Sequence, residues 1–165
     1  MRYGIIRNED KRQITYISRC CNSKRYNLNE EDVMNTLNQF SIAAVMVKFD
    51  NTSFEQQVRI MYKTILLISI HGSQLSNMVF MLPGSAVIEI VNPLFSIWFF
   101  KELSEKTELY YSLFQHTAIP PEPHRGVGRG WCATVNYNTI VNTTLLFPVV
   151  EESIKRARNG RTNAT

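Results

Sequence analysis

The sequence predicts an α/β domain, a doubly wound parallel sheet with helices on both faces. Two observations carry this. Apolar runs of strand length recur along the chain, among them Ile42–Phe49, Ile65–Ile70 and Ala86–Val91. They alternate with stretches of helical periodicity, and continuous rather than alternating apolar strands are the mark of a sheet covered on both faces.

The elements follow in order. Gln13–Ser18 (QITYIS) is β-rich and reads as the first strand. A polar loop, residues 19–29, leads to a helix over Glu30–Gln39, with Asn29 as its cap, acids in its first turn and Val33, Met34 and Leu37 on one side. Ile42–Phe49 is the second strand. Ser53-Phe54-Glu55-Gln56 has the capping-box pattern and opens a helix with Phe54, Val58, Met61 and Tyr62 at i, i+4, i+7 and i+8. Ile65–Ile70 is the third strand, and His71-Gly72 turns the chain into a short helix over Gln74–Val79, with Ser73 as a candidate cap. Pro83-Gly84 makes a turn before the strand Ala86–Val91. Phe95, Trp98, Phe99 and Leu103 mark one face of the next helix, and Leu109–Phe114 is the fifth strand. Residues 115–136, centred on PPEPHRGVGRG, read as a loop, and Phe147–Arg158 as a last helix with Pro148 in its first turn. The domain thus runs over residues 13–158, with 1–12 as a lead-in and 159–165 as a tail.

Composition narrows the function classes. With 165 residues, 44% hydrophobic and 19% charged, the chain suits a single globular core. The net charge is +4 and the pI about 9.1. No run of five or six basic residues occurs, so a nucleic-acid partner is not expected. The three cysteines, Cys20, Cys21 and Cys132, lack Cys-x-x-Cys spacing, so no zinc site is expected. No stretch reaches the ~18 apolar residues of a membrane span, and the N-terminus lacks the apolar core of a signal peptide. Three Asn-x-Ser/Thr sequons begin at Asn51, Asn142 and Asn163, and matter only for a chain in the secretory pathway.

In a doubly wound sheet ligands sit outside the carboxyl ends of the strands. Residues 19–25, 71–76 and 89–92 all fall there. Gly72 permits close backbone approach, and the helix after it offers N–H groups to an anion. His71 either donates to a phosphate or hydroxyl or caps a strand end. Glu89, in the apolar frame Val87-Ile88-Glu89-Ile90, either accepts a ribose hydroxyl or pairs with a basic neighbour. Arg19 and Arg25 either neutralise a diphosphate or lie in a solvated basic turn. There is no G-x-G-x-x-G and no P-loop.

The stretch ISIHGSQLSNMVFMLPGSAVIEIVNP resembles the C-terminal signature of glycosyltransferase family 61. His71, Gly72, Leu75, Asn77, Phe80, Pro83, Gly84 and Glu89 match it in order. Upstream, ITYISRCCNSKRYNLNEEDVMNTL is similar to the family's strand, two arginines, Asn-Glu-Glu and helix, and Phe54 and Gln57 fit its Phe-x-x-Gln helix. The three blocks cover residues 13–115. Ser73-Gln74 stands where the family has Ala-Gly, Ser69 where it has Gly, and Ile65 where it commonly has an acid.

The resemblance implies the donor-binding, C-terminal half of a GT-B enzyme. The implied reaction is inverting transfer of a sugar, N-acetylglucosamine or xylose, from a UDP-sugar to a hydroxyl of a protein or glycan. It assigns the donor diphosphate to Arg19 and Arg25, the turn beside the sugar phosphate to His71, Gly72 and Ser73, support of that turn or a donor contact to Asn77, and the ribose to Glu89. It gives no catalytic base. The UDP-sugar is a substrate, no further cofactor is expected, and a metal requirement stays open. The implied location is the lumen of the endoplasmic reticulum or Golgi. The alternative is a non-catalytic domain, derived from such an enzyme, that binds a nucleotide or a partner.

Overall fold

The structure, a computed structural model, describes residues 12–19, 26–93, 98–118 and 138–162. Five parallel strands form one sheet: β1 (Gln13–Ile17), β2 (Ala43–Val47), β3 (Thr64–Ile70), β4 (Ala86–Ile90) and β5 (Tyr110–Phe114), in the order β2-β1-β3-β4-β5. The chain moves outward from β1 to β2, then returns past β1 and continues through β3 to β5. The order therefore reverses between β1 and β3.

Right-handed crossovers in opposite directions place their helices on opposite faces. Helices α1 (Glu30–Leu37) and α4 (Thr143–Thr162) cover one face, where Val33, Leu37, Leu146, Val150, Ile154 and Ala157 pack on Ile14, Tyr16, Ile68, Ile88 and Ile90. The other face carries α2 (Phe54–Lys63), a 3-10 helix (Ser73–Phe80) and α3 (Phe99–Lys106), with Met61, Leu75, Met78 and Phe100 on Ile17, Leu67 and Val87. This is the expected doubly wound α/β arrangement, and it is Rossmann-like. All residues of β3 and β4 are buried, whereas the edge strand β2 is only partly covered.

Local chemistry explains the boundaries. The capping box at α2 is complete: Ser53 Oγ accepts from Gln56 N, and Gln56 Oε1 accepts from Ser53 N. Gly84 makes its turn at φ 76°, a left-handed conformation suited to glycine. Its N–H donates to Glu108 O at 2.8 Å, tying the turn to the start of β5.

Four expectations are corrected. Asn29 precedes α1, but its side chain makes no cap bond and is used elsewhere. Ser73 is not the cap of the helix after the His-Gly turn. That helix winds as 3-10 from Ser73, and Gly72 is its N-cap, with Leu75 N donating to Gly72 O at 2.9 Å. Gly72, Leu75, Met78 and Met81 are its buried positions, the three-residue period on which 3-10 side chains eclipse.

The buried stripe of α3 is Phe100 and Ser104, not Trp98 and Phe99, which are each 56% exposed. The helix begins at Phe99, so Trp98 is outside its phase; Phe95 lies outside the described residues. Finally, α4 starts at Thr143, one turn before the expected Phe147, because Asn142 caps it. Asn142 Oδ1 accepts from Leu145 N at 3.2 Å, and Asn142 O accepts from Leu146 N at 3.0 Å. Pro148 sits inside this helix rather than at its first turn. Two short strands absent from the sequence reading, β6 (Thr117–Ala118) and β7 (Ile140–Val141), pair antiparallel.

Candidate functional site

The strand order reverses between β1 and β3, and open α/β sheets bind their ligands in the crevice at the carboxyl edge of such a reversal. Arg19 leaves the end of β1 and His71-Gly72 leaves the end of β3. They meet there: Arg19 Nη1 donates to His71 O at 3.0 Å. A Cβ on Gly72 would stand 2.1 Å from Arg19 Nη1 and 3.1 Å from its Cζ. Gly72 has φ 164°, ordinary extended backbone. Glycine is needed here for the approach of the guanidinium, not for its backbone angles.

His71 is held on several sides. Its backbone N–H donates to Ile90 O at 2.9 Å, which carries the β3–β4 pairing one residue past the strands. Its ring stands edge-on to Phe100, with centroids 5.2 Å apart. Its Nδ1 is hydrogen-bonded to Glu89 Oε1. Glu89 Oε2 accepts from the Tyr111 hydroxyl. Glu89 is fully buried and the His71 side chain is 14% exposed. The Tyr111 phenol is pushed well above its ordinary pKa, first by burial and then by its bond to Glu89 and the charge there. Glu89 thus sits where the sequence put it, at the carboxyl edge, but its partners are a histidine and a tyrosine rather than a lysine or arginine.

Sequence reasoning missed Tyr111. The register pairs Val87 with Tyr111, which puts Tyr111 on the face of β5 that Val87 and Glu89 share on β4. That register is not readable from one chain.

The 3-10 helix supplies the other expected residues. Ser73 is exposed in its first turn. Asn77 Nδ2 donates to Gln74 O at 3.1 Å and so braces the turn. In β3, the Ser69 hydroxyl is buried, and its one hydrogen has the carbonyls of Ile70 (3.1 Å) and Ile17 (3.4 Å) as acceptors, within the strand pair β1 and β3.

On the β1 side, Glu30 accepts from Ser18 Oγ at 2.7 Å and from Tyr16 Oη at 3.2 Å, fastening the start of α1 to the end of β1. The Tyr16 phenol is also raised, chiefly by burial and then by the Glu30 charge. The Asn29 amide acts as a strand partner for β7: Nδ2 donates to Val141 O at 3.0 Å and Oδ1 accepts from Val141 N at 2.8 Å. Leu28 N to Thr139 O and Thr139 N to Tyr26 O complete a strap along this edge.

Arg25, Asn163 and the three cysteines lie outside the described residues. Asn51 ends a short 3-10 turn (Phe49–Asn51), and Asn142 is exposed at the cap of α4. Among the described residues, no three His, Cys, Asp or Glu side chains gather as a metal site, and no helix is long and apolar enough to cross a membrane.

Comparison with known proteins bears on this edge. Over 76 residues the chain is 33% identical to the protein O-linked-mannose beta-1,4-N-acetylglucosaminyltransferase 2 of Danio rerio, a match covering 43% of this chain and 13% of that protein. The sequence pattern of the family described as Glycosyltransferase 61 matches residues 5–88, which span β1 to β3, Arg19, the His71-Gly72 turn and the first three residues of β4. The crevice between β1 and β3 is built wholly from that matched segment, and the chain belongs to glycosyltransferase family 61.

Proposed function

We propose that this chain is the donor-binding, Rossmann-like half of a GT-B glycosyltransferase, and that the protein transfers a sugar with inversion from a UDP-sugar to a hydroxyl of a protein or glycan. The observation that carries the reading is the Arg19 guanidinium laid over the His71-Gly72 turn at the strand-order reversal of a family 61 chain. A nucleoside diphosphate leaving group gains negative charge as its bond to the sugar breaks. A fixed guanidinium stabilises that charge as it develops. Arg19 and Arg25 hold the diphosphate. The His71-Gly72-Ser73 turn lies beside the sugar phosphate, and Asn77 keeps that turn in shape. Glu89 serves the ribose side, either by exchanging a protein donor for a ribose hydroxyl or by way of His71.

N-acetylglucosamine is the first candidate sugar, because the Danio rerio relative is named for its transfer; xylose is the second. The relative's name also supports a place in the secretory pathway, the lumen of the endoplasmic reticulum or Golgi. There the exposed Asn142, together with Asn51 and Asn163, would be a candidate glycosylation site.

A second reading, a nucleotide-binding domain without transferase activity, is favoured by the Ser73 and Gln74 side chains at the turn and by a Glu89 whose two oxygens already have protein donors. The test is UDP release from UDP-N-acetylglucosamine and UDP-xylose, with and without O-mannosylated peptide, alongside UDP binding. Acceptor-dependent release that falls in His71→Ala supports the transferase. Saturable binding with no release supports the second reading. A folded protein that does neither refutes both.

A further inference from the structure

Gln74 stands in the first turn of the 3-10 helix, directly after His71-Gly72-Ser73. Its backbone is fixed, because its carbonyl accepts from Asn77 Nδ2 at 3.1 Å. Its side-chain amide is poorly served. Nε2 donates to Asp50 Oδ1 at 3.5 Å, the outer limit of a hydrogen bond. Oε1 is buried and has no hydrogen-bond partner among the described residues. The two ends of the amide cannot be exchanged. A carboxylate only accepts, so the NH2 must face Asp50 and the oxygen must face the fold. Buried polar atoms are nearly always paired, and an orphaned acceptor carries the full cost of its lost hydration.

The place of this amide matters as much as its bonds. Asp50 lies in the 3-10 turn after β2 and Gln74 in the 3-10 helix after β3, and β1 is the strand between them. Their neighbours Phe49 and Leu75 are buried with Ile17, the last residue of β1. The Gln74–Asp50 contact therefore crosses the carboxyl end of β1, on the face that carries α2. Arg19 leaves the same strand end and reaches the His71 carbonyl.

We infer that Gln74 is a specificity-determining residue for the donor, its amide oxygen turning to accept from a hydroxyl of the sugar on the nucleotide. This role rests on the donor-binding reading above. A diphosphate on Arg19 brings its sugar to the His71-Gly72-Ser73 turn, beside Gln74. A half-buried glutamine held by one long bond reaches that hydroxyl by rotating its side chain, and its oxygen gains the donor it lacks in the fold. The glycine that the family has at this position offers no side-chain acceptor.

Gln74→Met keeps the length of the side chain and removes both ends of the amide. Calorimetry on the wild type and this variant compares UDP, UDP-N-acetylglucosamine and UDP-xylose. The expected result is a sugar-specific loss. Affinity for the tighter-bound UDP-sugar falls about tenfold, the scale of one hydrogen bond, while affinity for UDP stays within about twofold. Denaturant melts are expected to show Gln74→Met at least as stable as the wild type, because an apolar group has replaced an orphaned acceptor.

A variant that melts clearly below the wild type shows an amide already satisfied within the fold and overturns the inference. Binding of UDP with no sugar-specific loss in Gln74→Met overturns it too and leaves the donor reading standing. A folded wild type that binds none of the three nucleotides defeats both, which keeps the two failures apart.

Discussion

Two tyrosine–glutamate pairs stand at the carboxyl edge of this sheet, and they are built in opposite ways. In the first, Tyr16 is buried in the sheet while Glu30 lies part-exposed on α1, and the carboxylate's second partner is the Ser18 hydroxyl. In the second, Glu89 is fully buried while Tyr111 is half-covered on the edge strand, and the second partner is His71. The first pair keeps its charge within reach of water and ends in a group that does not titrate in the ordinary range. It acts as a fastener between strand and helix. The second takes its charge out of water and ends in an imidazole beside the crevice. The same two residue types fasten strand to helix in one place and stand at the proposed binding edge in the other, and burial of the carboxylate distinguishes them.

The sharpest way to break this comparison is to delete each carboxylate. Glu89→Ala leaves a cavity and two orphaned donors, and is expected to cost about 2–4 kcal/mol of stability. Glu30→Ala removes a part-exposed carboxylate whose place water can take, and is expected to cost about 1 kcal/mol. Denaturant melts of the two variants compare them directly, and equal losses would remove the distinction.

Arg19→Ala comes next. UDP affinity is expected to fall about ten- to hundredfold, as for a lost charge-assisted bond, with little change in melting temperature. A smaller effect appears in alkali. Both phenols are raised in the fold, so each contributes stability that is present below the ordinary tyrosine pKa of about 10 and is lost as pH rises above it. The slope approaches about 1.4 kcal/mol per pH unit for the buried Tyr16 and is shallower for the half-exposed Tyr111. Tyr16→Phe is therefore expected to flatten stability above pH 10 more than Tyr111→Phe, which pH-dependent melts would show.

The smallest expected change in stability is in Gly72→Ala. The clashing atom is the end of a flexible arginine, so stability is expected to shift by less than about 1 kcal/mol. UDP affinity is expected to fall as in Arg19→Ala, because the guanidinium can no longer lie across the turn. A variant that binds as well as wild type would separate Gly72 from Arg19.

Much of this was legible in the sequence because it rests on local chemistry. The apolar runs of β3 and β4 gave the parallel sheet, the Ser53 capping box gave the start of α2, and the position of His71, Gly72 and Glu89 at strand ends gave the edge on which they meet. What was not legible depends on distant partners. Asn29 looks like a helix cap, yet its amide pairs with Val141, 112 residues away. Asn142 looks like a sequon and also caps α4, a signal present in Asn142-Thr143-Thr144-Leu145-Leu146 that places the helix start one turn before Pro148. The three-residue spacing of Leu75, Met78 and Met81 could have announced a 3-10 helix. Tyr111 needed the β4–β5 register, which local pattern does not supply.

The proposed nucleotide-sugar donor site lies between the carboxyl ends of β1 and β3. Calorimetric titration of the purified chain with UDP, in parallel with folded Arg19→Ala and His71→Ala variants, tests it most directly. Saturable binding by the wild type and a clear loss of affinity in both variants are expected. Absence of binding by the folded wild type up to millimolar UDP, or equal binding by all three proteins, would contradict it.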